Sequence, residues 1–159
     1  MDNRTDYYLL LADIQGSSVL SARQAESLMT HLLPALEREN LHHSVEISYP
    51  LEVNYGDEFA GLFTTPGPLY QIVSNLRHAL KGIARFRFVV VHGRIGYAGG
   101  SIREMGGPVF ESASHALDSL KKSRQSSRWI IGDEATDLSL TALSNAASSL
   151  IADMTDYQY

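Results

Sequence analysis

The pattern of apolar and polar positions predicts an alternating series of strands and helices. The run Tyr7–Ala12 is almost entirely apolar, which is typical of a central strand buried on both faces. A helix is predicted to follow, because Ser21 and Gln24 have the spacing of a capping box and leucines then recur at helical period. Residues 51–55 and 59–63 have strand character and are separated by a glycine-containing turn, the pattern of a β-hairpin.

The rest of the chain extends this series. The further predicted elements are a helix after Pro68, a strand over 86–91 that continues to Gly96, a helix over 109–122, a strand over 129–131 and a helical tail from Asp133. The first six elements have the ferredoxin-like order. The predicted fold class is therefore α+β, a ferredoxin-like βαββαβ arrangement with a mainly antiparallel sheet and an additional C-terminal αβ(α) extension. We expect one domain over residues 1–159, with 132–159 as the extension.

Composition narrows the function classes. The chain has 159 residues, no cysteine and a formal net charge of −5. Disulfides and thiol chemistry are thereby excluded, and the negative charge disfavours broad contact with nucleic acid. The one basic cluster, 121–124, is typical of a helix C-terminus. With no apolar run long enough to span a membrane and no signal-peptide pattern, we expect a cytoplasmic protein.

Two carboxylates fall where strands end. Asp13 follows the first buried strand, and Asp57 lies in the turn of the predicted hairpin. Because these strands are neighbours in a ferredoxin-like sheet, both side chains can reach one point, where hard oxygen ligands suit Mg²⁺ or Mn²⁺. The alternative is two unrelated turn aspartates. Gly16, Ser17 and Ser18 precede a helix, where main-chain amides can bind an anion such as phosphate.

Four short motifs follow one another along the chain. They are Asp13-Ile14-Gln15-Gly16-Ser17, Gly56-Asp57-Glu58-Phe59-Ala60, Arg94-Ile95-Gly96-Tyr97-Ala98-Gly99-Gly100 and Gly107-Pro108-Val109-Phe110. In this order they resemble the motifs of class III adenylyl and guanylyl cyclases. The likeness covers about residues 7–132 and implies the palm domain of those enzymes. Within that superfamily the chain more closely resembles the SatD family of bacterial proteins, which usually continue into a helix-turn-helix. The segment 154–158 is similar to the start of that continuation, so the chain is expected to be truncated before it or to be a shorter relative.

The resemblance assigns roles to individual residues. It implies metal ligands at Asp13, Ile14 and Asp57, and Glu58 matches a glutamate that can join the metal ions in diguanylate cyclases, which share the Gly-Asp-Glu-Phe turn. The implied catalytic residues are Asp13, Asp57, Glu58 and Arg94. The implied nucleotide-binding residues are Ile14, Gly16, Ser17, Ser18, Glu104, Glu111 and His115.

The departures from the cyclase motifs weaken the expectation of catalysis. The purine-reading lysine is replaced by Val53, whereas the purine-reading acid is kept as Glu104. The transition-state asparagine and arginine are replaced by Glu111 and His115, which removes a permanent bidentate phosphate clamp. An exposed i,i+4 pair without function is the alternative for Glu111 and His115.

The function predicted from the sequence is a metal-dependent purine-nucleotide-binding domain. The expected ligand is ATP or GTP with Mg²⁺ or Mn²⁺, and the expected assembly is a homodimer, because class III cyclases build each site between two palms. Arg94 or Arg103 would replace the missing arginine if the domain is an active cyclase or nucleotidyltransferase. The alternative is a catalytically silent palm acting as a ligand sensor or dimerisation module of a transcriptional regulator, with nucleic acid contacted only through a missing C-terminal segment.

Overall fold

The computed structural model describes residues 5–153, which form a β-sheet with helices on both faces. The strands are β1 (Asp6–Ile14), β2 (Ile47–Val53), β3 (Glu58–Phe63), β4 (Phe86–Arg94) and β5 (Ser127–Ile130). The helices are α1 (Ala22–His42), α2 (Leu69–Ala79), α3 (Pro108–Lys121) and α4 (Glu134–Asp153). The expected segment 154–158 lies outside the described residues. None of the helices in this described part is both long enough and apolar enough to cross a membrane.

The sheet has the order β2-β3-β1-β4-β5. β1 lies antiparallel between β3 and β4, whereas β5 is added parallel to β4 through α3. The first four strands have the ferredoxin-like order, and α3, β5 and α4 form the extension. The predicted α+β fold is therefore confirmed.

Two apolar cores lie on opposite faces of the sheet, because alternate residues of a strand face opposite sides. Leu10 and Ile14 join the core beneath α1 and α2. Leu9 and Leu11 join the core beneath α3. Asp13 continues the second set, so its side chain lies on the α3 face of the sheet.

Two strands extend beyond their predicted bounds. β1 includes Asp13, which the sequence placed in a turn, because Asp13 pairs with Glu58 of β3 and with Arg87 of β4. β2 begins at Ile47 rather than at residue 51. It is an edge strand with register shifts, and such a strand tolerates Pro50.

A close glycine contact fixes the beginning of α3. β4 ends at Arg94 instead of continuing to Gly96, and the amide of Gly96 donates to the main-chain oxygen of Gly106 at 2.7 Å. Gly107 has φ 116°, and a Cβ there would lie 2.1 Å from the nitrogen of Gly96. Glycine is therefore required, and α3 starts directly after this contact and ends at Lys121.

Candidate functional site

The strand pairing brings Asp13 and Asp57 to the same end of the sheet. Asp13 pairs with Glu58 in the β1–β3 ladder, and the amide of Ile14 donates to the main-chain oxygen of Asp57 at 2.9 Å. The hairpin turns at Gly56, which has φ 63°. We call the carboxylates of Asp13, Asp57 and Glu58 the acidic cluster.

The acidic cluster is electrostatically coupled. Burial raises the pKa of Asp13, Lys121 opposes this rise, and the neighbouring carboxylate of Asp57 adds to it. Burial likewise raises the pKa of Glu58, with Lys121 again opposing and Asp13 and Asp57 contributing further. The net shift is upward for both groups, so their ionised forms would be stabilised by an additional nearby cation.

Two basic side chains contact the acidic cluster. Nζ of Lys121 lies 3.5 Å from Oδ1 of Asp13 and 3.9 Å from Oε1 of Glu58. A guanidinium nitrogen of Arg87 lies 3.8 Å from Oδ2 of Asp13. Neither residue was among the predicted site residues. Lys121 was interpreted as part of a basic helix end, and Arg87 carries no motif, although its register opposite Asp13 follows once β1 and β4 are paired.

The loop after β1 forms a separate turn before α1. Gly16 has φ 70°, Ser17 to Val19 form a single 3₁₀ turn, and α1 begins only at Ala22. The hydroxyl of Ser17 donates a short hydrogen bond to Oδ2 of Asp57, which links this loop to the acidic cluster. Ser18 is exposed in the same turn. The predicted capping box of Ser21 and Gln24 is present, so α1 is capped by its own residues rather than by Gly16 to Ser18.

Three of the predicted site residues lie away from the acidic cluster in this chain. Arg94 is at the opposite end of β4 from Arg87, about 23 Å away along the strand, and pairs with Asp6 at 3.3 Å. Glu111 and His115 are exposed near the beginning of α3, where they line a shallow depression. Glu111 precedes Lys121 by ten residues, which is about 15 Å of helix.

The loop between β4 and α3 carries Glu104 and lies against Val53, the two positions that the cyclase resemblance assigns to purine recognition. Arg103 donates to the main-chain oxygen of Val53 at 2.8 Å, and Glu52 accepts from the amide of Ile102 at 2.8 Å. Glu104 accepts from the amide of Gly100 at 2.6 Å. Glu104 therefore bonds within its own loop, and the loop is held against the end of β2.

The donor set suits a partial magnesium site. Asp13 and Asp57 supply carboxylates, and Ile14, being apolar, can supply only its main-chain carbonyl. Across residues 5–153 no three acidic, histidine or cysteine side chains are placed to hold one ion. A metal ion here would therefore complete its shell with water or with the phosphates of a ligand, as Mg²⁺ commonly does. The residues present fit a divalent ion on these terms.

A groove of about 1,040 Å³ lies on the other face of the sheet, between the end of α2 and α4. It is lined in part by Arg77, Phe86, Ser126 and Asn145. Arg77 packs over the ring of Phe88 at 5.2 Å and donates to Ser126 at 3.4 Å. Asp13 and Asp57 do not line this groove, so it is separate from the acidic cluster.

Solved structures with a similar fold include catalytic domains of nucleotidyl cyclases. The catalytic core of a rhodopsin-guanylyl cyclase with converted specificity, in complex with ATPαS, has a TM-score of 0.57 and 14% identity, over 72% of each chain. The guanylate cyclase domain of RhGC from Catenaria anguillulae, in complex with GTP, has a TM-score of 0.56 and 13% identity, over 72% of this chain and 73% of that one. A bacterial light-regulated adenylyl cyclase has a TM-score of 0.55 and 11% identity, over 79% of this chain and 43% of that one.

No family model matches the chain, so the resemblance to the SatD family is not confirmed, and no curated protein matches it. At 11–14% identity the likeness concerns the fold alone. The chain has the fold of the catalytic domains of class III nucleotidyl cyclases.

Proposed function

We propose that this domain binds a purine nucleoside triphosphate together with Mg²⁺ or Mn²⁺ at Asp13, Asp57 and the carbonyl of Ile14. The observation that carries the proposal is the meeting of two carboxylates at one sheet end, with Asp57 bonded to the β1–α1 loop through Ser17. Buried and half-buried carboxylates with raised pKa values gain most from a bound cation. The fold supports the same conclusion, since solved neighbours hold ATPαS or GTP.

Different residues around the acidic cluster would contact different parts of the bound nucleotide. The loop of Gly16 to Ser18 would lie against the phosphates, and Arg87 and Lys121 would offset their charge. When bound, the metal ion would polarise the α-phosphate and activate an attacking hydroxyl. Glu58 lies beside Asp13 and would adjust how strongly the site attracts cations.

The position of Glu111 and His115 favours a homodimer. Glu111 lies about 15 Å along α3 from Lys121, the residue that contacts Asp13, so a second copy would have to bring Glu111 and His115 to the nucleotide. A two-palm interface of this kind should bury at least about 1,000 Å². Glu104, near Val53, would then face the purine from the same partner.

Turnover is expected to be slow. His115 offers no permanent bidentate clamp for the developing phosphate charge, and loss of such an arginine can cost several powers of ten in rate. Arg94 is paired with Asp6 far from Asp13 of its own chain, so it could act only across a dimer. The silent regulator module is not favoured by the neighbours, which are cyclase domains.

Isothermal titration calorimetry with a non-hydrolysable ATP or GTP analogue and Mn²⁺ tests the proposal. We expect binding by the wild-type domain, loss of metal-dependent binding in Asp57→Asn, and no change in Glu26→Gln, an exposed acid on α1. Equal binding by wild type and Asp57→Asn would contradict the proposed site. Light scattering with and without Mn²⁺ and nucleotide tests the dimer, and a monomer under every condition would remove Glu111 and His115 from the site.

A further inference from the structure

We propose that Lys121 is a built-in cation of the acidic cluster and limits it to one divalent metal ion per chain. This inference rests on the proposed function and specifies its metal stoichiometry. It concerns Lys121, which none of the sequence motifs includes.

The position of the ammonium group carries the inference. Nζ of Lys121 lies between two carboxylates that belong to neighbouring strands, at 3.5 Å from Asp13 and 3.9 Å from Glu58. The side chain of Asp13 is 8% exposed, so few water molecules can replace this contact. A bound metal ion would have to share these oxygens with the lysine or displace it.

The charges of the cluster fit one divalent ion better than two. Asp13, Asp57 and Glu58 supply three negative charges, and Arg87 and Lys121 supply two positive ones. One divalent ion turns this net charge of −1 into +1, which still suits a triphosphate. Paired metal ions in phosphoryl-transfer sites lie about 3.5–4 Å apart and share carboxylates. The Lys121 ammonium takes up the oxygens of Asp13 and Glu58 that a second ion would need.

The fold explains how the lysine reaches the cluster. Lys121 is the last residue of α3, whose beginning is fixed by the Gly96–Gly107 contact. A lysine at a helix C-terminus is favourable in any case, because the helix dipole is negative there. Lys122 occupies almost the same place relative to that dipole and is exposed. It therefore serves as a matched control that has the charge without the described contacts to Asp13 and Glu58.

The test is a Mn²⁺ titration of the purified domain followed by electron paramagnetic resonance, which counts free and bound ions without any catalytic readout. We expect one bound ion per chain in wild type and in Lys122→Met. Lys121→Met should bind a second ion per chain, and it should also bind the first about tenfold more tightly. Lys121→Arg keeps the positive charge and should behave as wild type. Thermal unfolding without metal checks that each variant is folded. In the same assay Mn²⁺ should raise the melting temperature of Lys121→Met more than that of wild type.

The outcomes separate the inference from the proposed function. If wild type binds Mn²⁺ and Lys121→Met binds the same number of ions, the inference is overturned while the metal site stands. If wild type binds none and Lys121→Met binds one, the proposed function fails for the natural sequence, and the inferred stoichiometry of one ion per chain fails with it. If neither binds, both fail. An equal gain in Lys121→Met and Lys122→Met would reduce the effect to general charge and overturn the specific role of Lys121.

Discussion

Helix α4 covers the exposed edge of β5 with side chains instead of a further strand. Asn145 Oδ1 accepts from the amides of Ser126 and Ser127, and Thr141 accepts from the amide of Trp129 at 3.0 Å. Asp137 accepts from the amides of Ile131 and Gly132. These side chains are four residues apart, about 6 Å of helix, which matches the roughly 6.6 Å between alternate strand residues. α4 therefore satisfies the edge amides, which otherwise favour pairing with another chain.

Replacing Asn145 by Ala should destabilise the domain by a calculable amount. The change removes a bond from the Ser126 hydroxyl at 3.2 Å and a bond within α4 to the oxygen of Thr141, which we leave out of the sum. It also removes the three bonds that join α4 to the main chain of residues 126 and 127, namely those from the amides of Ser126 and Ser127 to Oδ1 and that from Nδ2 to the oxygen of Ser127 at 3.0 Å. At roughly 1 kcal/mol each these contribute about 3 kcal/mol. Alanine regains about 0.6 kcal/mol through its higher helix propensity. The expected net loss is about 2.5 kcal/mol, or roughly 5–10 °C in melting temperature for a chain of this length.

Thermal unfolding followed by circular dichroism measures this loss. Ser139→Ala is the control, since Ser139 is exposed on the same helix and bonds only to the main-chain oxygen of Ala135 among the described contacts. It should change stability by less than about 0.5 kcal/mol. If Asn145→Ala melts within about 2 °C of wild type, α4 does not hold β5 in the way described.

Two further predictions concern the acidic cluster and the beginning of α3. In metal-free buffer, Asp13→Asn should raise the melting temperature near neutral pH. The folded-state pKa of Asp13 is raised, so the wild-type protein loses stability as the pH rises from the ordinary pKa of 3.8 through the raised folded-state pKa. A variant less stable than wild type at pH 7 would contradict this. Gly107→Ala should lower the free energy of unfolding by about 3 kcal/mol or more, because the new Cβ would clash with Gly96. Gly82→Ala is the control: Gly82 also has a positive φ, 78°, but no atom lies within 4 Å of the Cβ position, so the loss should be only about 1–2 kcal/mol. Chemical denaturation compares the two, and equal losses would show that the clash is relieved.

The fold was predictable because local pattern and sheet topology agree. The apolar run of β1, the hairpin around Asp57 and the helical leucines of α1 each indicate one element, and their order leaves few topologies. The bounds were less predictable where tertiary contacts decide them. Asp13 belongs to β1 only because β3 and β4 pair with it on both sides, and β2 includes Pro50 only because it lies at the edge.

The candidate site was predictable only in part. The pairing of β1 with β3 follows from the fold and brings Asp13 near the hairpin of Asp57. The approach of Lys121 does not follow, since it depends on where α3 begins and on how many turns it makes. Arg94 illustrates the same limit. It belongs to a motif, yet the register of β4 places it against Asp6, and Arg87 lies beside Asp13 instead.

The charges around the acidic cluster bear on whether the domain would act as an enzyme or as a ligand sensor. A carboxylate as buried as Asp13 is unfavourable when ionised, and Lys121 and Arg87 reduce that cost within the same chain. The domain should therefore fold without metal, and under the proposed function a divalent ion would compete with Lys121. In a two-palm arrangement Glu111 would add a further negative charge from the second copy, and His115 would stand where the cyclase motif has its arginine. Such a site would attract cations more strongly than triphosphate, so metal occupancy should precede and control nucleotide binding.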